Sequence, residues 1–470
     1  MKWLNPLLAV LVLIAVSAQS GWARSADSAQ LLAQVQELDL HTAQCIALTG
    51  NPGISAAQER VGQARARLQQ ALATWWPSVD ITAGGAHQRI SDSSYSLNRR
   101  IAAATGQNLD QSSMFYTTGL QATWLLFDGF YRKFNEERAQ AAQFAEEEAL
   151  NDSRRLLAAA VAQAFLNAQL AQSNISISQA SLTFYEKQLA NAKRRYEVGT
   201  GAWGDVLNIQ VQLNNIRAGL INHERELEAA KYGLAALLGM PEAVLPAHTA
   251  LAAFTNDPYS SPGQSADAKQ LIADAYGSRP DVRRLEHRLQ EAEALAGMAK
   301  APLYPQVRLA GALEGQREDD LPLESADYGN SIGVNMSWNL YAGGADKARM
   351  VEAGHVQREA AYSLAALRNQ IAADIRAGLA RLGEAQQQVQ LQQETVKLVE
   401  ENRQLAENAY AEGEYALIQL NEAQRDLTSN ASRLAQAQVS YQMAQQQLLE
   451  ASGRILEPFA AQPLNCLPAQ

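Results

Sequence analysis

Cysteine is nearly absent: Cys45 and Cys466 are the two in 470 residues, too few for a disulfide scaffold or a four-ligand zinc site. The six histidines lie far apart, so spacing gives no metal cluster, and neither a metal nor a cofactor is expected. Basic residues are outnumbered, 39 Lys and Arg against 49 Asp and Glu, for a net charge of −10. A nucleic-acid partner would need a basic face or stripe, and none is expected. Charge is low at 19% and apolar content reaches 47%, so composition excludes a disordered chain and allows a large core. No stretch approaches 18 consecutive apolar residues, which excludes a transmembrane helix.

The longest apolar run, residues 7–16 (LLAVLVLIAV), follows Met1 and Lys2. Ten residues cannot span a bilayer as a helix but suit a signal-peptide core. Small residues follow, and Gly21-Trp22-Ala23 fits a cleavage site, giving a signal peptide over 1–23, with a cut after Ala18 as the alternative. No cysteine follows the core directly, so no lipid anchor on this signal is expected. An exported chain without a spanning helix is either soluble or a transmembrane β-barrel, whose sequence signal is weak.

The chain reads as written twice. NPGISAAQERVGQARARLQQALATWWPSVDI begins at Asn51, and RPDVRRLEHRLQEAEALAGMAKAPLYPQVRL begins at Arg279. Pro52 and Pro77 match Pro280 and Pro305 at an offset of 228. GLQATWLLFDGFYRK from Gly119 then matches GVNMSWNLYAGGADK from Gly333 at an offset of 214, pairing Trp124 with Trp338 and Gly129 with Gly343. The same offset places YEVGTGAWGDVLNIQ on YAEGEYALIQLNEAQ. The first copy therefore carries 14 extra residues between its two strands, in a connection expected to be a loop tip.

These matches predict an N-terminal segment 24–50, a first repeat 51–239 with a β-hairpin at 77–127, and a linker 240–277. A second repeat 278–452 with a hairpin at 305–341 and a tail 453–470 follow. Each repeat opens with a helix whose first turn carries proline, where it is tolerated. Two strands, a very long helix, a glycine-marked turn and another helix come next.

The strands alternate. In 330–340, Ile332, Val334, Met336, Trp338 and Leu340 oppose Ser331, Gly333, Asn335, Ser337 and Asn339. In 304–314, Val307, Leu309 and Leu313 oppose Gln306, Arg308 and Glu314. Period two with such different faces means one apolar and one wet side. The connections, SDSSYSLNRRIAAATGQNLDQSS and GQREDDLPLESADYGN, are polar, as in membrane-barrel hairpins. Residues 131–198 contain no Gly and no Pro, enough for about 100 Å of helix. Near its end Ile175, Ser178, Leu182, Tyr185, Leu189, Ala192 and Tyr196 keep a three-four spacing. Leu213, Leu220, Leu227 and Leu234 recur every seven residues, as do Leu427, Leu434, Tyr441 and Leu448. Such narrow seams pack helix against helix and leave a wide polar face in water.

Motifs with chemical meaning are few. Gly199-Thr200-Gly201-Ala202-Trp203-Gly204 spells G-x-G-x-x-G, but a dinucleotide site needs a strand before it. Here a long helix precedes, so the run reads as a tight helix-to-helix turn. His223 falls on a helix seam and reads as a packed, hydrogen-bonded residue. Glu146-Glu147-Glu148 reads as a solvated helix face. No catalytic constellation stands out, and no enzymatic activity is expected. Cys45 and Cys466 flank the repeats and read either as free buried thiols or as a disulfide of an exported chain.

Four strands per chain cannot close a barrel, because the smallest membrane barrels have eight and open edges do not survive in lipid. Several chains must therefore share one barrel. The paired helix starts, the GLQATWLLFDG and GVNMSWNLYAGG strands and the two glycine turns resemble the TolC-type outer-membrane efflux protein family, over about residues 40–455. That resemblance implies a mainly α fold with transmembrane β: a homotrimer with a twelve-stranded barrel, a long periplasmic helical barrel, and a mixed equatorial belt from linker and termini. It implies outer-membrane lipid, a periplasmic adaptor and an inner-membrane pump of RND or ABC type as partners. It also implies an exit duct for small molecules or polypeptides.

In the family the periplasmic end closes at the helix turns. By position, the turn tyrosine is Tyr410 and its hydrogen-bonded aspartate is Asp205, six after Gly199. Where the family has an arginine two after the second turn glycine, Gly413, this chain has Tyr415. The two acidic ring positions are Gln419 and Glu422, of which only the second is acidic. Asn208 and the turn residues Gly199 and Gly201 belong to the same implied tip. Both termini would lie in the belt, which brings Cys45 and Cys466 into range for a disulfide. The alternative from another class is a periplasmic coiled-coil adaptor or structural protein, which would lack the duplicated hairpins of strands.

Overall fold

The computed structural model describes residues 28–33, 35–105, 110–253, 267–319 and 321–460. The expected signal peptide and Cys466 lie outside the described residues. In chain order, helix α1 (Ser28–Leu32), strand β1 (Glu37–Leu38), α2 (Leu40–Gly50) and α3 (Pro52–Ala73) come first. They are followed by β2 (Ser78–Arg89), α4 (Asp92–Thr105), β3 (Ser112–Phe127), α5 (Tyr131–Glu197) and α6 (Trp203–Leu237). The rest is β4 (Ala250–Leu251), α7 (Ala268–Ser278), α8 (Pro280–Met298), β5 (Gln306–Glu318), β6 (Tyr328–Ser337), α9 (Ala345–Glu412), α10 (Leu417–Ala451) and α11 (Glu457–Ala460). The long helices α5 and α9 have 67 and 68 residues, and α6 and α10 have 35 each.

The chain forms two compact units. One comprises Met1–Glu59, Leu150–Pro280 and Asn369–Gln470. Its main apolar cluster joins Leu38 and Ile46 to Val161, Phe165, Leu234 and Leu238. Each such side chain taken fully out of water contributes about 1.5–3 kcal/mol. Polar side chains tie the same elements: Asn51 Nδ2 donates to the Leu237 carbonyl at 2.7 Å and Gln44 Nε2 to Ala158 at 3.0 Å. Arg155 is buried between Asp152 and Glu450, at 2.8 and 3.0 Å. A short parallel ladder pairs β1 with β4. Asp39 caps α2 by accepting the Thr42 N–H at 2.7 Å.

The other unit comprises Arg60–Ala149 and Asp281–Arg368 and carries a four-stranded antiparallel sheet in the order β2-β3-β5-β6. The run Glu146-Glu147-Glu148 is not a solvated face. Its carboxylates meet Arg288, Arg65 and Arg283 of α8 and α3, at 3.1, 2.8 and 3.9 Å. The arginines lie far off in sequence, which is why local reading missed them. The two strands read at 304–314 and 330–340 are displaced outward along the hairpin, to Gln306–Glu318 and Tyr328–Ser337. The 23-residue polar connection is not all loop either: α4 occupies 14 residues of it. Ser91 accepts at its start from Tyr95 N–H through the backbone, Asp92 sits in the first turn, and no Gly or Pro interrupts it before Gly106. Polarity marked that segment as exposed but said nothing against a helix.

Candidate functional site

The sheet sorts its side chains as the alternation predicts. Register places Val79 opposite Ala122, Ile81 opposite Leu120, Trp124 opposite Leu309, and Leu309 opposite Val334. Val307 opposes Met336 and Gly311 opposes Ile332, which extends this apolar face across all four strands. The other face carries Asp80 with Gln121, Thr82 with Gly119 and Glu314, and Arg308 with Asn335. On the edge strands the apolar side chains stand free: Ile81 is 77% and Ile332 82% exposed. Among the described residues neither β2 nor β6 has a partner on its outer edge.

Where the sheet passes into helix, the chain makes a tight turn at Asp128-Gly129-Phe130. Asp128 and Arg132 form a buried ion pair at 3.0 Å, and Arg132 also donates to the Thr74 and Leu126 carbonyls at 3.3 and 3.2 Å. Removing one partner would strand a buried charge, a loss of about 3–5 kcal/mol. The guanidinium lies over Trp75, 4.6 Å from the ring centroid. Trp124 Nε1 donates to the Trp75 carbonyl at 2.9 Å. Gly129 and Phe130 both take the left-handed conformation, at φ 67° and 68°. Glycine adopts it freely, whereas phenylalanine pays strain of roughly 1–3 kcal/mol.

At the opposite ends of the long helices lie the two glycine turns. Gly199 (φ 78°) ends α5, with the Thr200 N–H bonded to the Arg195 carbonyl at 2.8 Å. Gly413 (φ 85°) ends α9, with the Glu414 N–H bonded to Ala409 at 2.9 Å. Both are Schellman-type stops, and both need the positive φ. Gly199 to Gly204 is therefore a helix-to-helix turn, as its context predicts, with Gly201 packed on the Arg195 backbone. Tyr185, Ala192, Val206, Ile209 and Leu213 form one apolar cluster that joins α5 to α6. His223 bonds Glu226 at 3.1 Å on the same helix.

Against α9 and α10, α5 presents a different column. Ser181 Oγ lies 2.8 Å from Thr428 Oγ1, Gln188 donates to Glu407 at 3.3 Å, and Arg195 donates to the Tyr410 and Ala411 carbonyls at 3.2 and 2.9 Å. Asn174, Ser181, Gln188 and Arg195 recur every seven residues, a polar heptad column beside the apolar one. Sequence reading followed the apolar seam and missed this column; its recurrence of Asn, Ser, Gln and Arg was the available signal.

The carried-over tip residues fall as follows. Tyr410 is half-buried. Burial, then the charge of Asp205, raise its pKa, while Arg195 opposes both. No hydrogen bond joins Tyr410 to Asp205 within the chain; Arg195 is the group bonded to Tyr410. Gln419 accepts the Ala416 N–H at 2.9 Å and so caps α10. Asn208, Tyr415 and Glu422 are exposed. Burial disfavours the charged form of Glu407, but bonds from Arg403 and Lys187 outweigh it and hold its carboxyl below the ordinary range. Cys45 is buried in α2 and disulfide-bonded. Among the described residues no group of His, Cys, Asp and Glu is placed to hold a metal ion, and no helix is long and apolar enough to cross a membrane.

This pairing of an open, half-apolar sheet with very long helices recurs in known proteins. Nodulation protein T of Rhizobium leguminosarum bv. trifolii is 24% identical over 83% of this chain and 80% of its own length. The solvent efflux pump outer membrane protein SrpC of Pseudomonas putida is 26% identical over 87% of this chain and 83% of its own. The crystal structure of the Campylobacter jejuni CmeC outer membrane channel superposes with a TM-score of 0.76 at 17% identity, covering 88% of this chain and 85% of that one. The sequence model of the outer membrane efflux proteins matches residues 46–240 and 271–454, most of the chain, and the protein belongs to that family.

Proposed function

We propose that this outer-membrane efflux channel works as a homotrimer, in which three four-stranded sheets close one twelve-stranded barrel. The long helices of the three chains continue that barrel into the periplasm, where an adaptor docks. An inner-membrane pump of RND or ABC type supplies the energy. The duct itself carries out no reaction; small molecules or polypeptides pass along it to the exterior. The observation that carries this reading is the sheet, apolar on one face and, among the described residues, unpaired at both edges. In hydrocarbon each unpaired backbone group costs several kcal/mol, so the sheet must find partner strands. Copies of the same chain supply them in matching register. An adaptor or structural coiled-coil protein would have no use for such a sheet.

The same reading gives the turns after Tyr196 and Tyr410 to the periplasmic tip. Tyr410, Asp205, Tyr415, Gln419, Glu422 and Asn208 then surround the exit from the pump side. Cys45 pairs with Cys466 in the belt. The two halves descend from one duplicated hairpin unit, a view supported by their closely matched helix lengths.

The test is assembly and conductance. The mature chain purified in detergent is expected to sediment as a trimer and to pass ions across a planar bilayer. A monodisperse monomer, stable without detergent, would overturn the reading.

A further inference from the structure

We propose that each chain carries a binding site for an organic anion with an apolar body, in the groove between α9 and α10 on the side that faces the duct. The inference rests on the channel reading above and names a class of solute that the duct holds in transit.

The groove encloses about 490 Å³ and its floor is small and apolar, made by Ala385, Ala437, Ala444 and Met443. Alanines at these positions leave room for a flat apolar group, in a volume typical of small-molecule sites. Polar groups stand at the two ends. At one end Arg381 Nη1 donates to Gln447 Oε1 at 3.2 Å, with Glu384 one turn along α9. Gln392 lies eleven residues beyond Arg381, and Gln436 eleven before Gln447. The antiparallel helices therefore bring Gln392 level with Gln436 at the other end, one turn from Arg433. Arg433 has no hydrogen-bond or ion-pair partner among the described residues, and Gln392 Oε1 is buried without a donor. In a chain of net charge −10, an unpaired guanidinium beside an unused acceptor suits an oxyanion that also carries an O–H or N–H group.

The faces of α10 set the side on which the groove opens. Gln436, Ser440, Met443 and Gln447 follow one another at four, three and four residues, which is one face of the helix. Leu156, Ala160 and Gln163 of α5 continue that face beside Met443 and Gln447. Gln442 and Gln445 lie on the opposite face of α10, where Glu37, Asp39 and His41 gather around a second cavity with them. Strand β1 and helix α2, which carry those three residues, are short pieces that would obstruct a duct. They stand outside it, and the groove opens inward. It is also internal to one chain. Thr428 of α10 meets Ser181 of α5 at 2.8 Å, and Gln447 meets Arg381 of α9, so α10 lies between two helices of its own chain. A second copy is not needed to build the site.

Block of the channel tests this with the full mature chain in planar bilayers. The probes are hydroxynaphthalenesulfonate and the uncharged dihydroxynaphthalene, and the reading is the concentration of each that halves the single-channel current. The sulfonate should block at a several-fold lower concentration than the uncharged probe. Arg433→Gln should raise the sulfonate's half-blocking concentration about tenfold, as expected for one lost charge-assisted bond, and leave that of the uncharged probe unchanged. Arg433 is exposed, so its replacement should not alter the heat resistance of the trimer. Arg308→Gln removes a guanidinium from the wet face of the sheet, away from the groove, and should leave both probes unchanged. Ser440→Leu fills the groove with both arginines in place and should weaken both probes. A sulfonate block that Arg433→Gln leaves intact, or that Arg308→Gln weakens equally, overturns the proposal, because the anion is then held by the charge of the duct at large. Block by both probes that Ser440→Leu leaves intact overturns it as well. If the parent passes no ions, the channel reading itself fails and the site falls with it.

Discussion

The Arg195 guanidinium lies over the Tyr410 ring, 5.2 Å from its centroid, and donates to the Tyr410 carbonyl oxygen at 3.2 Å. Its other amino group reaches the Ala411 carbonyl at 2.9 Å. The end of one long helix thus holds the end of the other. The last carbonyls of α9 have no partner in their own helix, and the partial negative charge there favours a cation. A hydrogen bond from a charged donor contributes about 1.5–3 kcal/mol, so its loss shifts a closed–open balance about ten- to a hundredfold per chain. Arg195→Ala is expected to raise open time or conductance with the trimer intact. Tyr410→Phe and Asp205→Ala should do so more weakly, because no bond links that pair within the chain. Single-channel recordings decide; unchanged conductance in Arg195→Ala/Tyr410→Phe would show that this contact is not the latch.

A second link in the same column titrates. Glu407 accepts from Arg403 of its own helix and from Lys187 and Gln188 of α5, at 2.6, 3.3 and 3.3 Å. Its pKa is lowered in the folded chain. A carboxyl lowered in this way stabilises the fold above its unfolded pKa, about 4.3 for glutamate. That contribution is lost as pH falls through the lower, folded value. The α5–α9 contact should therefore hold unchanged from pH 8 to 5 and loosen only below about pH 4. Glu407→Gln should flatten this part of the profile when the heat resistance of the trimer is followed against pH. An identical acid limb in the variant would assign the loss to other carboxylates.

The cysteines give a direct chemical test. With Cys45 bonded and two cysteines in the chain, the proposed bridge runs to Cys466. Closing so long a loop is worth up to about 5 kcal/mol in the chain-entropy account. Unreduced, denatured protein should take up no alkylating reagent, and reduced protein two equivalents by mass. Uptake of two equivalents before reduction would reject the bridge.

Legibility from sequence followed the physics of each element. The alternation of Ile332, Val334 and Met336 with Ser331, Gly333 and Asn335 was readable because a strand with two different faces writes period two into the chain. The turns at Gly199 and Gly413 were readable because φ near 80° needs glycine. The partners of Glu146, Glu147 and Glu148 were not, since arginines 82 to 142 residues away complete them. The resemblance makes Gln419 a pore position; its side chain also accepts the Ala416 N–H, a local bond that family position does not encode. Arg195 lay in plain view as a charged residue near a helix end. Its role depends on which helix packs there, and no single-helix pattern reports that.

The sheet offers the sharpest separation between its two faces. Val334 stands on the apolar side, opposite Leu309 and 63% exposed in the single chain. Ser331, three residues earlier, stands on the other side, opposite Ala312. Both lie within β6, so backbone conformation and strand propensity are nearly matched. If the apolar side meets lipid, an arginine at Val334 must enter hydrocarbon, at a cost of about 2–4 kcal/mol near the bilayer centre. Three copies per barrel would multiply that cost. An arginine at Ser331 would enter the water-filled interior, where its charge stays solvated, and should leave folding within about 0.5 kcal/mol. Val334→Arg is therefore expected to abolish or sharply lower the yield of heat-resistant trimer in lipid. Ser331→Arg should assemble normally and change only conductance or ion selectivity. Equal yields for the two variants would mean that the apolar face of the sheet does not meet the hydrocarbon.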